Sequence, residues 1–207
     1  KLVKRVSVSV AAPGGLSVPA KRVESKYPVR LVEATTFERV DLVVVVDTGN
    51  LSLLGDLVEP LKKARCVKIF LDHHPLSSSI KDVADYLLLD ESVASASEVV
   101  YDILAALKLP VSRAVAQVLL TGILFDSQHL RLAGYGTVRR VAEICEAGAS
   151  IGVSFEILSS LRDQSERIAR LKGVQRVSLH RLDGWVVGST AIGSYQASVA
   201  KAVVDLG

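Results

Sequence analysis

The chain has 207 residues, 49% hydrophobic, 23% charged and 5% aromatic, enough apolar material for one domain or a domain and a half. Its net charge of +3 suits a phosphate-bearing substrate and excludes the strongly basic surface of a dedicated DNA-binding module. No apolar run approaches the roughly 18 residues of a membrane span and no signal peptide is visible, so a cytoplasmic protein without a membrane partner is expected.

Short apolar runs alternate with helical patterns, which marks an α/β fold with a parallel sheet. RVSVSVAA, Arg5 to Ala12, reads as a strand stopped by Pro13-Gly14-Gly15; SVPAKRVESKY reads as a short helix and VRLVEA, Val29 to Ala34, as a second strand. DLVVVVDTGN holds four consecutive valines, β-branched and apolar on both faces, and is the clearest buried strand. A helix from about Gly55 to Ala64 follows, then strands from Cys66 to Leu71 and from Ala84 to Asp90. Cys66 and Cys145 lie far apart without metal spacing and read as small buried hydrophobes in a reducing compartment.

From there the pattern turns helical. SASEVVYDILAALKL opens with Ser95 and has Glu98 three residues later, a capping box. PVSRAVAQVLLTGILFD places Pro110 in a first helical turn and an apolar stripe through Val115, Leu119 and Ile123. Two more helices are expected near Thr137 to Ala147 and Ser154 to Leu161, followed by SERIARLKGVQ as a charged connector. After Gly173 the period changes to two, and alternation across Asp183-Gly184 predicts a β-hairpin before a final helix, YQASVAKAVVDL. A domain boundary is expected near Arg170. The chain begins with Lys, contains no Met and ends AVVDLG in what reads as an unfinished unit, so a piece of a longer protein is expected.

Three positions share one topological address. Asp47 ends LVVVVD, Asp72, His73 and His74 end KIFLDHH, and Asp126 ends the helix LLTGILFD. Ligands of open parallel sheets bind where the carboxyl ends of strands line one edge. Taken singly, each residue has a plainer reading: Asp47 as a turn or cap residue within DTGN, His73 as a hydrogen-bonded corner, Asp126 as a solvated helix end. A carboxylate at a helix C-terminus opposes the helix dipole, however, which argues for a cation nearby. Carboxylate and imidazole ligands without thiolates suit Mn²⁺ or Mg²⁺ rather than structural zinc. No P-loop or complete G-x-G-x-x-G is present to cradle a nucleotide.

VVVVDTGN, FLDHHP and LLTGILFDS, in this order and with these intervals, resemble motifs II, III and IV of the DHH phosphoesterase superfamily. That superfamily includes RecJ-type exonucleases, the oligoribonuclease and pAp-phosphatase group, and family II inorganic pyrophosphatases. DESVASASEVVYDIL is similar to the segment after the DHH motif in the oligoribonuclease-like branch. The hairpin with GSYQASVAKAVVDLG is similar to the opening of the DHH-associated C-terminal domain. The resemblance implies a parallel-sheet DHH domain over 1–130, a helical extension and connector over 131–172, and the beginning of the second α/β domain over 173–207.

By the same resemblance, Asp47 bridges two Mn²⁺ ions (or Mg²⁺), His73 ligates the second ion and Asp126 completes the pair. His74 contacts substrate phosphate and Asp72 orients the histidines. Ser127 and His129 are further candidates for substrate contact. Motif I, an Asp-x-Asp after the first strand, is expected upstream of KRVSVSVAA, since the first Asp in the chain is Asp41; the Gly-Gly-His motif of the C-terminal domain is expected beyond Gly207. The implied function is a metal-dependent phosphoesterase acting on short oligonucleotides or a small nucleotide such as pAp. The alternative is a catalytically degenerate DHH scaffold in a nucleic-acid replication or repair complex, and a homodimer is compatible with both.

Overall fold

The computed structural model describes residues 6–33, 36–75, 77–159 and 164–206. Arg5, Ala34 and Leu161, each an end of an expected element, lie outside the described residues. The chain divides into two compact units, 1–159 and 160–207.

In the first unit a helix, α1 (Val18–Lys26), precedes a sheet of three parallel strands, β1 (Leu42–Val46), β2 (Val67–Asp72) and β3 (Tyr86–Leu89), lying side by side in that order. Val46 pairs with Leu71 and Asp72 with Leu89, so the carboxyl ends of the strands reach one edge. The fold is thus the mixed α/β architecture with a parallel sheet that the apolar runs predict. The first crossover is a 3₁₀ segment (Leu51–Leu57) with α2 (Val58–Lys63), and the second is the short α3 (Ser78–Lys81). Leu51, Leu54, Leu61 and Ile80 from these crossovers pack on Val45 and Phe70, forming one of two cores. The helix expected from Gly55 to Ala64 begins only at Val58, because Gly55 takes a left-handed φ of +54° that breaks the helical run.

The two upstream strands are a correction. Among the described residues they reduce to one parallel bridge between Val10 and Leu31. Val6 and Val8 remain 77% and 69% exposed, so no buried face rewards an extended pairing there.

The second core is helical. In α4 (Ala96–Ala106) the Ser95 hydroxyl accepts the Glu98 N–H at 3.3 Å, and the Glu98 carboxylate reaches back to the Ala94 N–H at 3.0 Å, one residue earlier than in the standard box. Ser112 caps α5 (Arg113–Asp126), leaving Pro110 outside the helix rather than in its first turn. The stripe α5 buries is Ala116, Leu119, Leu120, Ile123 and Leu124, packed on Val141 and Ile144 of α6 (Tyr135–Glu146); Val115 stays exposed. The last helix of this unit is α7 (Ile151–Leu158).

The second unit comprises α8 (Gln164–Gln175), the antiparallel hairpin β4 (Ser178–Leu182) and β5 (Trp185–Ser189), and α9 (Gln196–Val204). Asp183 and Gly184 both have positive φ, as a two-residue hairpin turn requires. SERIARLKGVQ is helix rather than connector. Arg170 donates to the Ser198 carbonyl at 3.1 Å, and Gly173 lies so close to Val199 that a Cβ there would meet its Cγ1 at 2.2 Å. These ties join α8 to α9 within the second unit. Among the described residues no helix is long and apolar enough to cross a membrane.

Candidate metal centre

The β1 ladder runs one bond past the strand, with the Asp47 N–H donating to the Leu71 carbonyl at 2.9 Å. Asp47 itself turns into the left-handed region with φ +58°. Such a conformation costs a non-glycine residue about 1–2 kcal/mol, although Asp and Asn tolerate it better than most. The cap at this corner is Asn50, whose side chain accepts the Ser52 N–H at 3.0 Å. The Thr48 hydroxyl donates to the Val46 carbonyl at 3.2 Å. The turn is therefore stabilised by its neighbours, and the half-exposed Asp47 carboxylate is left for other use.

At the end of β2, Asp72 is buried, and its Oδ1 accepts three hydrogen bonds: from the His73 N–H at 2.6 Å, the His74 N–H at 2.9 Å and His74 Nδ1 at 2.9 Å. Burial pushes its pKa up, but the hydrogen bonds from His74 and His73 outweigh burial and hold the carboxyl below the usual range. An ionised carboxylate only accepts, so His74 Nδ1 is the donor of that bond. The His73 ring lies 3.9 Å from that of His74, tilted by 49°. His73 is mostly buried, and its Nε2 points toward Asp47 Oδ1 at 3.5 Å.

Two buried side-chain atoms among the described residues have no hydrogen-bond partner: His73 Nε2 and Asp72 Oδ2. Buried polar atoms without a partner are rare and costly in folded proteins. A divalent cation would satisfy them, and ligand atoms of Asp47, Asp72, His73 and His74 all lie within 4.8 Å of one another. The cluster therefore fits a divalent metal ion. Asp126, at the last position of α5, stands outside this group, yet its carboxyl senses it. Burial first, and then repulsion from Asp47, raise its pKa, while His73 and His74 lower it. Ser127 is fully buried and its hydroxyl accepts the Leu130 N–H at 3.1 Å, which turns it inward rather than toward a substrate. His129 is exposed and stacks on Phe155.

Residues 4–123 match the DHH family, N-terminal domain. The chain belongs to the DHH family. It is 29% identical over 183 residues to the uncharacterized protein MJ0988 of Methanocaldococcus jannaschii, covering 82% of this chain and 53% of that protein. The chain thus spans about half the length of that curated relative. Two solved structures share the fold. An exopolyphosphatase-related protein from Bacteroides fragilis has a TM-score of 0.64 at 11% identity, covering 83% of this chain and 61% of the other. A Methanococcus jannaschii protein described as a family II inorganic pyrophosphatase has a TM-score of 0.58 at 17% identity, covering 95% and 66%.

Beside the DHH triplet, the structure adds residues that the motif reading passed over. Asp90, just past β3, donates its N–H to the Asp72 carbonyl at 3.2 Å and so adjoins the cluster. The fully buried Glu98 accepts Arg140 Nη1 at 3.3 Å, and Arg140 also grips Asp102 with two further nitrogens at 2.8 and 2.5 Å. Glu98 and Asp102 lie one helical turn apart, a pairing of acidic residues visible in the sequence; their shared arginine, 38 residues beyond Asp102 in the chain, was not.

Proposed function

We propose that the full-length protein is a divalent-metal-dependent phosphoesterase acting on short oligonucleotides or small nucleotides such as pAp. The observation that carries this reading is His73 Nε2, buried, unpartnered and 3.5 Å from the Asp47 carboxylate at the ligand edge of a parallel sheet. Membership of the DHH family supports phosphoester hydrolysis as the reaction class.

Asp47, His73 and Asp126 would hold the metal, with Mn²⁺ favoured over Mg²⁺ because imidazole joins the carboxylates. When bound, the metal supplies Lewis acidity toward a phosphoryl oxygen and neutralises its charge. His74 does the rest of the electrostatic work from its own frame. Asp72 fixes the imidazole through Nδ1, and the exposed ring, protonated at Nε2, donates to a phosphoryl oxygen as negative charge grows there. Asp72 thereby positions His74 without touching substrate. The mild net charge favours a short substrate over a long strand track.

The test is release of nucleoside monophosphate from a 5′-phosphorylated trinucleotide, and of phosphate from pAp, by the full-length protein with Mn²⁺. Partners one layer outside a metal typically contribute 10–100-fold, so Asp47→Ala is expected to lower the rate by more than about 100-fold. A full-length protein with no Mn²⁺-dependent hydrolysis would leave the scaffold reading in its place.

A further inference from the structure

We infer that His129 and Phe155, on the loop that follows Asp126 and on α7, form a stacking seat for a nucleobase of the substrate; this deepens the reading of the site as a nucleotide phosphoesterase and rests on it. The two rings are parallel, with centroids 5.1 Å apart, the offset-stacked arrangement. Phe155 is 42% exposed and His129 is exposed as well, so the pair is not sealed into a core. The pair leaves aromatic surface open to solvent.

Its placement suits a substrate. His129 follows Asp126 by three residues, so their Cα atoms are at most about 11 Å apart. Gln128, His129 and Leu130 are all left-handed, with φ of +51°, +60° and +69°. Three successive non-glycine residues in that region are unfavourable, and backbone strain of this kind gathers at ligand clamps. The loop is nevertheless pinned. The His129 N–H donates to the Leu124 carbonyl at 2.7 Å, the Leu130 N–H to the buried Ser127 hydroxyl at 3.1 Å, and the Leu132 N–H to the Ser127 carbonyl at 3.0 Å. Ser127 thus has a role after all, as the post that holds His129 out. Phe155, on α7, supports the ring from the other side. Every nucleobase has a π-face for such a seat, whereas an inorganic polyphosphate has none.

The test is binding to the full-length protein without metal, comparing AMP with ribose 5-phosphate by the chemical shift of the His129 ring protons and by calorimetry. AMP is expected to bind about tenfold tighter than ribose 5-phosphate, the effect of stacking one base. His129→Ala should erase that difference, and His129→Phe, which keeps a ring but no imidazole, should retain it. Phe155→Ala should weaken AMP binding without changing ribose 5-phosphate. Equal affinity for the two ligands, or unchanged AMP affinity in His129→Ala, overturns the inference. Failure of the parent reading looks different: AMP would still shift the His129 protons, while no phosphodiester would be hydrolysed with Mn²⁺.

Discussion

Asp47 combines two properties that a single substitution can separate. Its backbone is left-handed, which Asn tolerates as well as Asp does, and its carboxylate faces the cluster. Asp47→Asn should therefore keep folding stability within about 0.5 kcal/mol in urea titrations while abolishing Mn²⁺ binding measured by calorimetry. Metal binding that survives the change would remove Asp47 from the ligand set. Asp90 offers a pH test at the same edge. The Ser92 hydroxyl at 2.6 Å and then its N–H at 2.9 Å hold the Asp90 carboxyl below the usual range, against a smaller effect of burial. A carboxylate depressed on folding adds stability above its unfolded pKa, near 3.9, and that stability disappears as pH falls through the lower folded value. Ser92→Ala should thus move the acid-unfolding midpoint, followed by circular dichroism, to higher pH; a midpoint that stays put or falls contradicts the assignment. Residue type and address single out Asp47, His73 and Asp126 in the sequence; the structure brings Asp47 and His73 together and leaves Asp126 outside their cluster. Ser127 misled, because a hydroxyl next to a ligand reads as substrate-facing until the loop behind it is seen.

The helices carry two features that composition alone misreads. Gly122 lies inside α5, where replacing glycine by alanine would ordinarily gain about 1 kcal/mol of helix propensity. Here a Cβ would lie 2.2 Å from Ser97 Oγ and 3.2 Å from its Cβ, and overpacking of that kind costs about 1–3 kcal/mol. The steric cost wins: Gly122→Ala should lower the urea midpoint, and adding Ser97→Ala should restore part of the loss. The glycine in LLTGILFD is thus explained by the approach of α4 to α5, the helix that ends at Asp126. The second feature is the Glu98–Arg140–Asp102 ion network, in which Glu98 is fully buried and the Arg140 side chain is only 13% exposed. Removing one partner of a buried pair strands the other, at about 3–5 kcal/mol. Arg140→Met should destabilise the protein by that order in a denaturant titration. A change below about 1 kcal/mol would mean that Glu98 finds a neutral state or another partner. The capping box announced Glu98 in the sequence, but nothing near it announced an arginine two helices away.

At the scale of the molecule, the central strands were legible because four valines in a row and the apolar run Ile69 to Leu71 favour strand, but their burial was not, since of β1 only Val45 is buried while Leu42, Val44 and Val46 stay exposed. The segments around Val10 and Leu31 have the same apolar character, but strand formation depends on a partner and a buried face, and neither is written into the segment itself. The candidate metal cluster has the same dependence in another form, since Asp47, Asp72, His73 and His74 stand at the ends of β1 and β2 and meet only when the first unit is folded. A cation that binds only the folded arrangement must therefore raise its stability by mass action, by about 2.7 kcal/mol at one hundred times the dissociation constant. For a chain of this size, 1 kcal/mol moves Tm by about 2–4 °C, so saturating Mn²⁺ should raise the melting point by roughly 5–10 °C, and EDTA should reverse the rise. His73→Ala removes the unpartnered Nε2 and should lose most of the Mn²⁺-dependent shift, whatever it does to the metal-free melting point. Differential scanning calorimetry with and without Mn²⁺ reads both effects. An equal Mn²⁺ shift in His73→Ala would show that the ion stabilises the protein somewhere other than this cluster.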